Sequence, residues 1–252
     1  SQYLVLTSRL IMQTKSFRID RYISKQCSIN RRDIKLMLAQ GRIVLNNHVV
    51  RDITTIVEEF DHVVLDGRVL QDKTAVYIML NKPIGVVSAT KDELHKTVID
   101  LLPDSLTGSD VKAEDLHIVG RLDLNTTGLL LLTNDSRWSR RLMSPAEKVE
   151  KVYQVTVQNT LTEEYVDAFA EGMYFSFENV KTQPAQLTIL SPYLAEVVLT
   201  EGKYHQVKRM FGRFRNPVVA LHRSRIGGLS LDDNLSSGQC RLLTPDEVSG
   251  IK

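Results

Sequence analysis

Four consecutive leucines, Leu129 to Leu132, stand between Gly128 and the pair Asn134-Asp135. An apolar run this short, bounded by turn residues, predicts a core strand rather than a helix. The turn before it runs Gly120-Arg121-Leu122-Asp123-Leu124-Asn125-Thr126-Thr127-Gly128. It is therefore anchored to the interior, with Asp123 presented at its edge. A second core strand is predicted over 76–80, closed by Pro83, which cannot donate to a ladder. Residues 150–157 alternate and are β-branched, which marks another strand, and 186–190, 195–200 and 218–225 add more. Helices are predicted at 136–143, at 162–170 with Thr162 as cap, at 204–214, and as a short element near 97–102. Thr244-Pro245-Asp246-Glu247 has the form of a capping box that opens a last helix. Many strands with short intervening helices give an α+β class with a mixed, largely antiparallel sheet.

The first 70 residues follow another pattern. Ile19, Tyr22 and Ile23 recur at helical spacing, and Asn30 caps a second helix over 31–40 that Gly41 closes. On that helix Ile34, Met37 and Leu38 face inward, while Arg31, Arg32 and Lys35 lie to one side. Two hairpins follow, turning at Asn46-Asn47 and at Asp66-Gly67. The polar stretch 71–75 reads as a linker. The expected organisation is an extension over 1–16, a small domain over 17–71 and a larger one over 72–252. Met12 is the expected natural start, with 1–11 lying upstream of it.

Composition narrows the function classes. A chain of 252 residues with 42% hydrophobic and 25% charged residues suits a soluble protein with an ample core. No apolar run approaches a membrane span, and Arg9 interrupts the mildly apolar start, against a signal peptide. Cys27 and Cys240 are far apart and no CxxC or His-rich spacing occurs. Neither a disulfide framework, a metal site nor a cofactor is expected, and a cytoplasmic location fits. The net charge of +2 is small, but residues 1–70 hold 11 Lys and Arg against 7 Asp and Glu. That excess suggests a polyanion-binding module at the N-terminus.

A second basic stretch, 203–225, holds seven Lys or Arg and no acid. On a helix over 204–214, Tyr204, Val207, Phe211 and Phe214 would share a buried face, with Lys208 at its edge and Arg209 and Arg213 turned outward. His205 and His222 read as structural or as facing the bound polyanion, not as catalytic. Each candidate also has a plain reading. Asp123 suits any turn, Lys82 any exposed loop, Tyr153 the interior of a sheet, and the N-terminal cations a solvated helix face.

The motif GRLDLNTTGLLLLTND resembles the signature of the pseudouridine synthases, in the branch that acts on ribosomal RNA. LNKPIGVVS, EKVYQV and EGKYHQVKRM are similar to further motifs of that family, and FRIDRYISKQCSINRRDIKLMLAQGRIVLNNHVV resembles the S4 RNA-binding domain. The resemblance implies that Asp123 is the nucleophile or essential carboxylate and that Tyr153 lies against the target uracil. It implies that Lys208 pairs with the aspartate; many relatives carry arginine there, so Lys208 is a departure that makes its orienting role less definite. Arg121 would fill the space left by the displaced base or hold a phosphate. Arg31, Arg32, Lys35, Lys82, Arg209 and Arg213 would contact RNA. DLNTTGLLLLTND, EGKYHQVKRMF and LHRSRIGG are most similar to family members that modify 16S rRNA. The implied partner is that RNA or a small-subunit assembly intermediate, met by a monomer with no membrane. The alternatives are a 23S rRNA target, a non-catalytic S4-type or ribosome-assembly protein, and a nucleoside hydrolase, which would need a second carboxylate near Asp123.

Overall fold

The computed structural model describes residues 16–108 and 110–251. The expected start at Met12 and the extension before Ser16 lie outside them. The chain divides into two compact units between Ala75 and Val76, at the end of the polar stretch 71–75.

The N-terminal unit contains helices α1 (Ile19–Cys27) and α2 (Arg31–Ala39) and strands β1 (Ile43–Leu45), β2 (His48–Val49), β3 (Val63–Leu65) and β4 (Arg68–Gln71), ordered β2-β1-β3-β4. Helix α2 starts where it does because the Asn30 side chain accepts a hydrogen bond from the Asp33 amide at 2.9 Å. Both hairpins turn on two left-handed residues, Asn46 and Asn47 in one and Asp66 and Gly67 in the other. That backbone matches the right-handed twist of the flanking strands. Ile19, Ile23, Ile34, Leu38, Ile43 and Val63 are buried between the helices and the strands.

The C-terminal unit is built on one large sheet. Its strands are β5 (Tyr77–Lys82), β6 (His117–Val119), β7 (Thr126–Thr133), β8 (Lys151–Val157), β9 (Gln186–Ser191), β10 (Leu194–Leu199), β11 (Val218–Ile226), β12 (Leu229–Ser230) and β13 (Cys240–Leu242). The order is β9-β10-β8-β11-β7-β5-β13, with β6 on β7 and β12 on β11. Among the described pairings of this sheet only β7 and β11 run parallel. The four-leucine run within β7 has no polar position because both its faces are covered. Leu130 and Leu132 pack with Ile78, Leu80 and the connection that includes Val98 and Leu116. Leu129 and Leu131 pack with Trp138 and Leu142 of helix α3 (Ser136–Met143). Helices α4 (Glu163–Glu171) and α5 (Gln206–Gly212) put Phe169 and Phe211 against β8, β9 and β10. Helix α6 (Pro245–Gly250) carries the capping box, with reciprocal bonds between Thr244 and Glu247.

Gly128 is where β7 meets β11. Its φ is +107°, and a Cβ there would lie 2.2 Å from the backbone oxygen of Arg223. Only glycine permits this approach.

Two expected helices differ. The element near 97–102 is a single tight turn, Ile99–Leu101, followed by a four-residue helix at Asp104–Thr107. The helix expected over 204–214 is shorter. It begins at Gln206, because His205 sits in the left-handed region with φ 47°. Tyr204 therefore lies off the helix and is 74% exposed, not part of the apolar face.

Candidate active site

The Asp123 turn is tied down from beneath. Gly128 pairs across the sheet with Lys82 on β5 and with Arg223 on β11, and Arg223 pairs in turn with Tyr153 on β8. Four strands thus place Lys82, Gly128, Arg223 and Tyr153 in one row. Lys82 is fully buried. Its Nζ donates to the carbonyls of Thr126 at 2.8 Å, Pro83 at 3.0 Å and Leu124 at 3.2 Å. Arg223 is 2% exposed and donates from Nε to Leu129 O at 2.9 Å and from Nη2 to Gly120 O. The two buried cations hold carbonyls on both legs of the turn. Ser88 adds a reciprocal pair, accepting from Leu122 N at 3.0 Å and donating to Leu122 O at 2.6 Å. Gly85 N donates to Leu124 O, and Thr126 N to Asp123 O, each at 3.0 Å. The backbone on either side of Asp123 is therefore fixed, while its carboxylate projects away.

That carboxylate opens into a cavity of about 170 Å³ lined by Arg121, Asp123, Tyr153, His205, Lys208 and Leu221, among others. Asp123 Oδ2 lies 3.3 Å from His205 Nε2, each side chain being partly exposed. The left-handed backbone at His205, the feature that shortens α5, turns the imidazole toward the aspartate. Tyr204 stacks on that imidazole, with ring centroids 3.9 Å apart and planes 17° from parallel.

Burial pushes the Lys82 ammonium down to about 8, against the pull of the Asp123 charge, which acts to raise it. His222 is also pushed down by burial, and its Nδ1 lies 2.8 Å from Thr127 Oγ1, which makes it a structural partner of the leucine strand.

The structure brings together Asp123, Arg121, Tyr153 and Lys208 around one cavity. It changes three of the assignments, those of Lys82, Lys208 and Arg209. Lys82 is not a surface phosphate contact, because it is buried and bonded to three carbonyls. Lys208 lines the cavity, but among the described residues the side chain within pairing distance of the Asp123 carboxylate is that of His205. The helical phase that assigned that pairing to Lys208 assumed that α5 includes Tyr204. Arg209 does not face free solvent. It makes a two-pronged pair with Glu178, 2.8 Å on each prong, and lies 3.8 Å over the Phe175 ring. Arg213 is exposed and donates to Tyr174 O at 3.0 Å. On the N-terminal unit Arg31, Arg32 and Lys35 are exposed, with Arg31 Nε 3.0 Å from Asp20 Oδ2.

Sequence reasoning missed His205 and misplaced Lys82. The signal for Lys82 was present: Ile78, Leu80 and Lys82 share one strand face at period two, and that face is the core side. His205 carried no comparable signal, since its orientation comes from a single left-handed residue.

The site holds a carboxylate at a fixed point beside an aromatic hydroxyl, an imidazole and the side chains of Arg121 and Lys208. Among the described residues no three His, Cys, Asp or Glu side chains gather as a metal-binding set. None of the described helices is long and apolar enough to cross a membrane.

Three comparisons bear on this geometry. The sequence profile of the RNA pseudouridylate synthase family matches residues 76–212. The chain is 48% identical over 235 residues to the ribosomal small subunit pseudouridine synthase A of Pseudomonas aeruginosa, covering 93% of this chain and 100% of that one. It is 38% identical over 236 residues to the protein of the same name from Escherichia coli strain K12, covering 93% and 99%. A solved structure described as a pseudouridylate synthase is 36% identical with a TM-score of 0.66, and covers 94% of this chain and 100% of that one.

Proposed function

The chain belongs to the RNA pseudouridylate synthase family, and from that premise we propose that it isomerises a uridine of small-subunit, 16S rRNA with Asp123 as the essential carboxylate. The observation that carries this reading is the Asp123 turn itself, clamped at its carbonyls by buried Lys82 and Arg223 while its carboxylate enters a cavity shared with Tyr153.

The reaction breaks the N1–C1′ bond, turns the uracil, and joins C5 to C1′. The C5 proton leaves to solvent and N1 gains one, so neither water nor an electron carrier is consumed. The departing uracil spreads its charge over two carbonyls and needs no strong leaving-group acid, unlike the alcohol displaced by a glycosidase. One carboxylate therefore suffices. Asp123 either attacks C1′ or removes a proton from the sugar, and in both routes it must be ionised at the start and free at the end. His205 Nε2 stands 3.3 Å from its Oδ2, and the buried Lys82 side chain lies under the turn that carries it. The target uridine leaves its stack to reach this depth. Tyr153 then flanks the base and offers a hydroxyl for proton movement, Arg121 holds the vacated position, and Lys208 supplies a mobile positive charge at the cavity wall. Arg213 faces the approaching RNA.

The N-terminal unit serves as an S4-like RNA-binding domain over about residues 17–71. Its Arg31, Arg32 and Lys35 contact phosphates, which position an RNA without reading its sequence. The protein acts as a cytoplasmic monomer.

The deciding experiment measures tritium release from C5-labelled uridine in rRNA transcripts. Asp123→Asn should release none while binding the RNA as tightly as the unaltered protein; turnover by this variant removes the assignment. Mapping pseudouridines in 16S and 23S rRNA with and without the protein then tests the subunit. A new modification confined to 23S rRNA would move the target and leave the chemistry.

A further inference from the structure

Beside the Asp123 cavity lies a second chamber of about 500 Å³, separated from it by Arg121, Tyr153, Gly202 and Lys203, which line both. Four cations line this chamber, Arg121, Lys151, Lys203 and Arg223, against one carboxylate, Glu201. Glu201 is engaged. Its Oε1 accepts from Gln183 N and Gln206 Nε2, and its Oε2 lies 3.3 Å from Lys203 Nζ. Among the described residues Arg223 meets carbonyl oxygens and not carboxylates. Lys151, half-buried on β8, makes no ion pair among the described residues, and its strand neighbour across the sheet on one side is Ile226. Burial and the nearby Arg223 charge both push the Lys151 ammonium down from its ordinary value. Like charges gathered in a partly dehydrated chamber are unfavourable unless an anion joins them. Solvent-sized counterions would do this loosely; a phosphodiester, with two charged oxygens on a strand already held next door, would do it firmly.

We propose that the chamber behind Tyr153 is a binding site for a backbone phosphate of the RNA strand flanking the target uridine, with Lys151 as its principal ligand. This deepens the reading of the Asp123 cavity as the site of uridine isomerisation, and rests on it. Clamping a flanking phosphate on the far side of Tyr153 would keep the strand splayed while the base is turned over. It also accounts for a lysine two residues before the tyrosine, on the same face of the strand, at a position where its charge is disfavoured without a ligand.

The test uses the full chain and an unmodified 16S rRNA transcript, with affinity measured across a range of KCl concentrations. Lys151→Gln should bind roughly tenfold more weakly at physiological salt, as expected for losing a hydrogen bond between charged partners. Its plot of log affinity against log salt should flatten by about 0.7, the contribution of one phosphate on a single strand. Lys151→Arg should retain both. The expected kinetic signature is a raised KM with kcat maintained. The thermal midpoint of Lys151→Gln should not fall, because the charge it removes is disfavoured by burial. Replacing phosphates around the mapped uridine by neutral methylphosphonates, one at a time, should reproduce the loss at one position for the unaltered protein and cause no further loss for Lys151→Gln. Unchanged affinity and slope in Lys151→Gln, or no sensitive phosphate, overturns the chamber and leaves the role of Asp123 intact. Turnover by Asp123→Asn alongside a flattened slope in Lys151→Gln does the reverse.

Discussion

Lys82 and Lys35 are both lysines in basic or polar segments of an RNA-directed protein, and the fold treats them in opposite ways. Lys35 stands on the open side of α2, beside Arg31 and Arg32, with Ile34 and Leu38 carrying the burial on the other side. Its chain is free to follow a polyanion. Lys82 ends a core strand, and its ammonium is spent on three carbonyls under the Asp123 turn. A cation on a solvated face is open to a polyanion and adds little to geometry. A cation buried among carbonyls contributes to geometry and cannot reach a phosphate. The contrast divides the molecule's basic residues by what they face and not by their side-chain type.

Removing the buried member should have the largest effect. Lys82→Met keeps most of the apolar stem and relieves a buried charge, so the fold should survive. It removes the Lys82 donor from Thr126 O and leaves Leu124 O with Gly85 N alone, and the Asp123 turn loses its side-chain tie to β5. Turnover should fall by roughly 100-fold, equivalent to about 3 kcal/mol of barrier, with RNA affinity unchanged. The same lysine sets a pH test with opposed signs. Its folded value of about 8 lies below the ordinary lysine value of 10.5. Below pH 8 both folded and unfolded chains hold the proton, and the buried charge is a standing cost to stability. As pH rises from about 8 toward 10.5, the unfolded chain keeps a proton that the folded chain has lost, so this group's contribution to stability rises. Activity should fall over the same window, because a neutral amine has two hydrogens for three carbonyls and no charge to set against Asp123. Lys82→Met should show neither limb; an alkaline fall in activity identical in both proteins would assign it to another group.

The exposed members should act as a group and more weakly. Replacing Arg31, Arg32 and Lys35 together by glutamine removes charges that lie on a solvated helix face. Affinity for rRNA should drop by about one to two orders of magnitude at low salt, and the salt slope should flatten by roughly 2. Turnover at saturating RNA should be unaffected. A matching loss in Lys82→Met, or a loss of turnover in the triple variant, would erase the distinction between the two kinds of cation.

Much of the fold could be read from the chain because local chemistry and packing agree there. The leucine run is covered on both faces, the two hairpins carry residues that accept left-handed backbone, and Asn30 and Thr244 make the caps their positions imply. Each of these signals is local. The candidate site depended on something else. Asp123, Tyr153, Arg121 and Lys208 were gathered by resemblance to a family, and the structure places them around one cavity. What escaped was set by single backbone events or by long-range partners. The start of α5 moved because one residue, His205, adopts φ 47°. The inward face of Lys82 was legible at period two along its strand, but two of the carbonyls that take its ammonium lie 42 and 44 residues away. Helical periodicity carries no information about either.

Arg209 provides the finest division between the two kinds of cation. It follows Lys208 in a basic stretch, and a helical wheel turns it outward toward any bound RNA. In the fold it spans both classes, being near the surface yet closed off. Glu178 takes both of its terminal nitrogens at 2.8 Å, the Phe175 ring lies beneath the guanidinium, and its Nη1 also donates to Tyr204 O at 3.2 Å. Glu178 in turn is held below its ordinary value, first by the hydrogen bond from Arg209. A phosphate approaching Arg209 would have to displace a carboxylate already in two-pronged geometry, which leaves little net attraction to gain. Arg209→Ala should therefore leave rRNA affinity and its salt slope unchanged. The Glu178 carboxylate, released from its partner, should titrate closer to the ordinary range, readable by NMR. Because Arg209 also reaches back to the Tyr204 carbonyl, one residue before the imidazole at Asp123, the variant should lower turnover slightly through looser placement of His205. A drop in salt slope by about 0.7 or more would show instead that Glu178 yields to RNA, and that burial is a poorer guide than charge at this position.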